Sequence, residues 1–115
     1  MPRPAPPPSL AVRRALASLG EDIAAARRRR RLPIHIVAER ALTTRQTVAR
    51  IEGGDPSVAM ATWASVLFSL GLLDRLAELA APAHDEVGLA LESAELPRRV
   101  RLPRPSKSSS GESAP

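Results

Sequence analysis

Residues 33–54, PIHIVAERALTTRQTVARIEGG, have the pattern of two short helices joined by a tight turn. The first helix is predicted because four apolar residues recur at the i, i+3, i+4, i+7 spacing of one helix face. They are Ile34, Val37, Ala38 and Ala41. The second helix is predicted to begin at Thr44, whose hydroxyl can cap its first turn, or one residue earlier, since Thr43 and Gln46 have capping-box spacing. The closing Gly-Gly pair predicts its end.

The second of these helices is predicted to have two unlike faces. Val48 and Ile51, at i and i+3, are expected to point into a core. The outward face then carries Arg45, Gln46, Ala49 and Arg50. Two short helices with a polar outer face on the second are typical of a helix-turn-helix, so the pattern predicts binding to DNA.

A longer stretch, residues 32–72, resembles the lambda-repressor-like (XRE family) helix-turn-helix domains. The resemblance rests on AERA in the first helix, TTRQT at the start of the second, IEGG at its end, and the apolar helix after the DPSV join. It extends over roughly residues 19–81 and implies an all-α fold with five helices. Two positions differ from the family: Ile34 replaces a phosphate-contacting Gln, and Leu42 replaces a turn Gly, so that Leu42 would need a positive φ.

The resemblance also implies roles for individual residues of the second helix. Arg45 and Gln46 would lie on base edges, with Arg50 one turn further on; Arg suits guanine O6 and N7, and Gln suits adenine N6 and N7. Thr44 and Thr47 are the better candidates for contacts to phosphate.

Five consecutive arginines, residues 27–31, precede this stretch. One interpretation is a solvated face near a helix C-terminus, where cations suit the helix dipole. The other is contact with phosphates, for which Arg30 and Arg31 are the candidates, the remainder only raising the local potential.

The charge distribution agrees with a DNA-binding half of the chain. Residues 1–55 carry eleven Arg and five acids, residues 56–95 carry one Arg and six acids, and residues 96–115 carry five bases and one acid. A basic half attracts a phosphate backbone, and the acidic middle is expected to face away from it. There is neither an apolar leader nor a stretch approaching a membrane span, so we expect a cytoplasmic, nucleoid-associated protein without membrane contact.

Composition along the chain predicts four segments. Residues 1–8 are expected to be a disordered Pro-rich arm, residues 9–81 the DNA-binding domain, residues 82–96 an extension with a possible short helix at 85–92, and residues 97–115 a flexible basic Ser/Pro-rich tail.

Within the domain, Gly20 is expected to interrupt the first helical region and leave a core helix over about residues 18–31. Pro33 is expected at the first position of the next helix. A fourth helix is predicted to bury one stripe that includes both aromatic residues of the chain. The stripe consists of Met60, Trp63, Ala64, Leu67 and Phe68.

A fifth helix is predicted over residues 72–80. Its leucines exceed what a small core can cover, so the remainder would suit the interface of a homodimer on a palindromic operator. The candidate interface residues are Leu72, Leu73, Leu76 and Leu79.

An enzyme is not expected. There is no cysteine, His35 and His84 belong to no ligand cluster, and no serine has a base at a motif spacing. We therefore predict no catalytic residue, no cofactor and no metal site.

Residues 54–104 resemble the HipB-type antitoxins that are paired with HipA-like serine/threonine kinases. The resemblance implies a dimer that represses its own toxin–antitoxin operon and holds the kinase inactive. The alternative is a stand-alone XRE-family repressor without a toxin partner. The sequence leaves open the operator, the partner, the surface that would bind a toxin, the structure of residues 82–96 and the role of the tail.

Overall fold

The computed structural model describes residues 6–95, and within that range all regular structure is helical. The helices are α1 (Leu10–Arg29), α2 (Ile34–Arg40), α3 (Arg45–Glu52), α4 (Met60–Ser69), α5 (Leu73–Ala77) and α6 (Glu86–Glu95), with a 3-10 turn at Pro82–His84. The chain divides into two units, residues 1–77 and 78–115. The predicted basic tail and most of the predicted N-terminal arm lie outside the described residues.

Helix α1 is continuous, and the expected interruption at Gly20 is wrong. The helix begins where Ser9 Oγ accepts a hydrogen bond of 3.2 Å from the Val12 N–H. Gly20 is required instead for close packing: a Cβ there would overlap the carbonyl oxygen of Ile51 and lie 2.8 Å from that of Glu52. A glycine in mid-helix costs up to ~1 kcal/mol relative to alanine. Here only a hydrogen atom fits between the two helices.

Gly54 makes the matching contact from the other side. Its φ is +80°, and a Cβ at this position would lie 2.6 Å from the Ala17 Cα. The backbone of α1 therefore touches the C-terminal end of α3 at Gly20 and the segment after α3 at Gly54. This contact fixes where α3 lies along α1.

The core of the first unit is built from α1 to α4. Its completely buried members come from each of these helices, and each such side chain contributes roughly 1.5–3 kcal/mol by burial. They are Ile23, Val37, Val48, Ile51 and Val66. Ile34 packs against this cluster from a partly buried position, as expected.

The buried stripe of α4 differs from the predicted one. Trp63, Val66, Leu67 and Leu70 are buried, whereas Met60 is 73% and Phe68 66% exposed. Residues five apart on a helix are separated by about 140°, which is wider than the roughly 100° stripe that faces the core, so Phe68 points away from the core when Trp63 is buried. The correct stripe follows the i, i+3, i+4, i+7 spacing from Trp63. Met60, Ala61 and Phe68 are consequently exposed apolar side chains on α4, and the helix contains no charged residue.

Helix α5 is shorter than predicted and covers only residues 73–77. Gly71, at φ +77°, ends α4, and the Leu72 N–H bonds back to the Leu67 carbonyl at 2.8 Å. No residue of α5 is buried, so little packing supports a further helical turn.

The second unit contains the 3-10 turn and α6, which starts at residue 86 and ends at residue 95. The Asp85 carboxylate accepts a hydrogen bond of 3.1 Å from the Gly88 N–H and so caps the first turn. No α6 residue is buried, and Val87, Leu89 and Leu91 are exposed. No helix in the described part of the chain is long and apolar enough to cross a membrane.

Candidate nucleic-acid interface

The turn between α2 and α3 is tight and includes a left-handed residue. Leu42 has a φ of 58°, in agreement with its predicted place in the turn, and its side chain is 93% exposed. The Thr43 N–H closes the turn on the Ala38 carbonyl at 2.9 Å. Pro33 is the N-cap of α2, one residue before the predicted position.

Thr44 caps α3, which decides between the two possible starts. Its φ and ψ are −104° and 158°, and its Oγ1 accepts a hydrogen bond of 3.1 Å from the Thr47 N–H. The Thr44 hydroxyl also donates to Thr47 Oγ1 at 3.0 Å. The Thr44 proton is thereby engaged, while the Thr47 hydroxyl keeps its own proton for an outside acceptor.

Helix α3 separates buried from exposed residues sharply. Val48 and Ile51 are completely buried. The predicted outer residues are all exposed, namely Arg45, Gln46, Ala49 and Arg50. Within residues 6–95, the side chains of Arg45 and Gln46 form no hydrogen bond, so their donors and acceptors remain available to a ligand. Helix α3 packs on both α1 and α2 through its other face.

Arg50 differs from these two residues because its guanidinium is already held. Its Nε donates to Asp55 Oδ2 and its Nη2 to Ser57 Oγ, both at 2.9 Å. Asp55 Oδ1 accepts from the Ser57 N–H at 2.8 Å and from the Ser57 hydroxyl at 2.7 Å. The hydrogen bonds from Arg50 and then from Ser57 lower the pKa of Asp55 to about 2.

Arg27, the first arginine of the run, is neither solvated nor placed for a phosphate. Its side chain is 15% exposed and forms a forked pair with Glu52, with Nε to Oε2 at 2.7 Å and Nη2 to Oε1 at 3.2 Å. Its Nη1 donates to the Leu32 carbonyl at 3.0 Å. The hydrogen bond to Glu52 raises the pKa of Arg27 against the effect of burial. This arginine joins α1, α3 and the start of the loop before α2.

Arg30 and Arg31 are exposed beyond the C-terminus of α1. Arg30 Nη1 donates to the Ala26 carbonyl at 2.9 Å, and Arg31 has a φ of 54°. In the described chain, no hydrogen bond or ion pair connects either residue to α3. The nearby Arg27 contacts the Glu52 end of α3, whereas Thr44 and Arg45 begin the other end.

The four leucines predicted for a dimer interface are not equivalent. Leu72 and Leu76 pack partly against the core of their own chain. Leu73 is partly exposed, and Leu79, which follows α5, is 70% exposed. Of the four, Leu79 alone has most of its side chain exposed, whereas Leu73 is partly buried like Leu72 and Leu76.

Sequence reasoning missed the partners of the two held arginines. An Asp-Pro-Ser sequence directly after a helix is a turn signal in which the Asp side chain bonds the backbone two residues on, so the Asp55–Ser57 contact could have been found. The Arg27–Glu52 contact joins residues 25 apart and depends on how α1 packs on α3.

Among residues 6–95 there is no group of three or more His, Asp or Glu residues that could hold a metal ion. Comparison with known proteins does not assign a family: no family model, no curated protein and no solved structure matches the chain.

Proposed function

We propose that this protein is a sequence-specific transcriptional regulator that binds double-stranded DNA through a lambda-repressor-like domain of five helices. The observation that carries the proposal is the exposed face of α3. This helix packs on α1 and α2 with Val48 and Ile51 completely buried, and it leaves Arg45 and Gln46 exposed and unbonded in the described chain. A short helix with one buried and one polar face can enter the major groove of DNA.

The charge distribution supports the same proposal. The first 55 residues have an excess of six positive charges, and residues 56–95 an excess of five negative charges. Phosphates attract the first half, and Arg30 and Arg31 are exposed within it. Such a protein would act in the cytoplasm, associated with the nucleoid.

Binding-site selection from a randomised duplex library tests the proposal. The parent chain should select one motif, and Arg45→Ala should weaken binding by about 1–3 kcal/mol and relax preference at one base pair of each half-site. Arg75→Ala is the matched control, because it removes one exposed positive charge from the acidic part of the chain. An identical motif for the parent and Arg45→Ala would contradict the assignment of Arg45.

Arg30 and Arg31 give a second, sequence-independent test. Changing both to Gln should weaken binding to every duplex while leaving the selected motif unchanged. The slope of log K against log salt should decrease by about one for each phosphate that the variant no longer neutralises. A changed motif with an unchanged slope would exclude phosphate binding by these two residues.

A dimer follows from the small size of the reading helix. One such helix reads only a few base pairs, so we propose a homodimer on a palindromic operator with half-sites about one helical turn, ~34 Å, apart. Leu79 is largely exposed, and Leu73 is partly exposed and belongs neither to the core nor to the side chains packed against it. Light scattering should show a dimer at micromolar concentration and a smaller mass for Leu73→Glu. A monomer in both samples would contradict this interface.

The more specific proposal is a HipB-like antitoxin, with the stand-alone repressor as the alternative. Helix α6 supports the antitoxin because Val87 and Leu91, one turn apart, give it an exposed apolar strip of the kind that protein partners cover. An adjacent kinase-like gene whose product is inhibited by this chain would favour the antitoxin. A genome without such a neighbour would favour the stand-alone repressor.

A further inference from the structure

A closed group of three side chains lies just beyond the end of α3. The Gly54 N–H bonds to the Ile51 carbonyl at 2.9 Å and the Asp55 N–H to the Arg50 carbonyl at 3.0 Å, the two hydrogen bonds of a Schellman motif. This motif turns the chain back along α3. It brings the Asp55 carboxylate beside the Arg50 guanidinium, with Ser57 on the same carboxylate.

Within this group the hydrogen bonds to Asp55 and Ser57 hold the Arg50 side chain in one position. Both oxygens of Asp55 are used, Oδ2 by Arg50 and Oδ1 by Ser57. Ser57 Oγ donates to Asp55 and accepts from Arg50. Arg50 is thus held at two of its five N–H groups, and the remaining three include both on Nη1.

Such a fixed arginine differs physically from a free one. An unrestrained arginine loses rotamer freedom when it binds, and that loss weakens the interaction. Two hydrogen-bonding partners in place before binding remove much of the loss and set the orientation of the guanidinium plane. The carboxylate also offsets the charge of Arg50, so this residue should attract phosphates less than Arg30 or Arg31 does.

We propose that Asp55 and Ser57 are positioning residues that hold Arg50 for the reading of one guanine in the major groove. This inference rests on the proposed DNA-binding function. Because Nε is occupied, Arg50 presents its Nη1 and the remaining Nη2 N–H to guanine O6 and N7. Arg50 then contributes to base preference more than to general affinity for DNA.

The competing role for this group is a purely structural one. Asp55 and Ser57 would then only fasten the turn after α3, and their replacement would lower stability without changing base preference. The charge change in an Asp55 variant also distinguishes the positioning role from the purely structural one. Asp55→Asn removes a negative charge near the DNA, so affinity for random duplex should stay the same or rise while base preference falls.

The experiment is binding-site selection with the full chain, using Arg50→Ala, Asp55→Asn, Ser57→Ala and Ser57→Thr. Arg50→Ala should lower discrimination at one guanine of each half-site by about 5- to 150-fold, the range for a bidentate contact. Asp55→Asn and Ser57→Ala should lower it at the same guanine by about 3- to 10-fold, since each removes part of the support. Ser57→Thr retains the hydroxyl and should restore the preference.

Asp74→Asn is the matched control, because it neutralises an exposed carboxylate on α5. It should leave every position of the motif unchanged. Thermal unfolding of each variant shows whether it is folded at the assay temperature.

Several outcomes would overturn the inference while leaving the proposed function intact. One is a motif that changes with Arg45→Ala but not with Arg50→Ala. Another is a guanine preference that falls with Arg50→Ala and is unaffected by Asp55→Asn and Ser57→Ala. A parent chain that binds no duplex at all would instead overturn both proposals.

Discussion

Each side of α3 has an ion pair between an arginine and an acidic residue, and the two pairs differ in how far they are buried. On the inner side, Arg27 and Glu52 pair with only 15% and 12% of their side chains exposed. On the outer side, Arg50 and Asp55 pair at a similar distance but with 45% and 31% exposed. Deleting one partner of a buried pair strongly lowers the stability of the protein, whereas an exposed pair typically contributes about 0–1 kcal/mol to it.

Burial, rather than residue type, therefore distinguishes the residues that hold α3 in place from the residues on its exposed face. Val48 and Ile51 fix its inner side, and Gly20 sets how closely α1 approaches. The exposed residues of α3 take no part in this packing, although Arg50 is held by hydrogen bonds to Asp55 and Ser57. Changes on the inner side should affect folding, and, under the proposed function, changes on the outer side should affect DNA binding.

The largest effect is expected for Gly20→Ala. The added Cβ would overlap the Ile51 carbonyl, and this carbonyl belongs to backbone that cannot move aside easily. Overpacking costs about 1–3 kcal/mol or more, and we expect the upper end despite the better helix propensity of alanine. Urea denaturation measures the loss of stability.

Gly53→Ala is the matched control for this substitution. Its φ is −86° and its nearest neighbours lie at 3.5 and 3.6 Å from the added Cβ, so stability should change by less than about 0.5 kcal/mol. A more stable Gly20→Ala variant would show that helix propensity outweighs the close contact.

The second prediction compares the two ion pairs directly. Arg27→Ala leaves Glu52 mostly buried without its partner and should lower the free energy of unfolding by about 2–3 kcal/mol, somewhat less than for a completely buried pair. Arg50→Ala should lower it by no more than about 1 kcal/mol. Arg28→Ala, at an exposed position next to Arg27, is the control. Equal losses of stability for Arg27→Ala and Arg50→Ala would remove the distinction between the two sides.

Local signals predict the centre of this architecture well. The sequence places the cap of α3 at Thr44 or one residue earlier, and the resemblance implies a positive φ at Leu42, which replaces a turn Gly. Thr44 is the cap, and Leu42 has a φ of 58°. These features depend on neighbours within a few residues. The all-helical class also follows from local periodicity.

Features that depend on tertiary packing are predicted poorly. Gly20 has the local signature of a helix breaker. Its actual role is close packing against Ile51, a residue distant in the sequence, so local patterns do not reveal it. Phe68 is a different kind of miss: the predicted stripe includes it, yet it lies about 140° from Trp63 on α4, so helix geometry alone points it outward once Trp63 is buried. Arg27 cannot be told apart from its four neighbours until its partner Glu52 is located.

A smaller effect is expected in the turn before α3. Leu42→Gly should raise the free energy of unfolding by about 0.5 kcal/mol, because glycine accepts a φ of 58° without the steric cost but loses more backbone entropy on folding. Leu42→Ala keeps the strained φ and is the matched control. A loss of stability in Leu42→Gly would show that this residue is not strained.

The smallest effect concerns the pH dependence of the outer pair. The folded chain lowers the pKa of Asp55 from its ordinary 3.8 to about 2, so the stabilisation by Asp55 is complete above the ordinary value and is lost as the pH falls toward 2. Comparison of parent and Asp55→Asn by urea denaturation should show a difference in stability that shrinks over this range. A difference that stayed constant down to pH 2 would contradict the lowered pKa.

The contact between Gly20 and Gly54 also bears on how such a chain can evolve. Two positions without side chains fix α3 in place, so Arg45, Gln46 and Ala49 can be replaced one at a time with little effect on folding. Under the proposed function, duplicated copies could acquire new DNA preferences through single substitutions, and an engineer could randomise these three positions on an unchanged scaffold. The two glycines, in contrast, should tolerate almost no replacement.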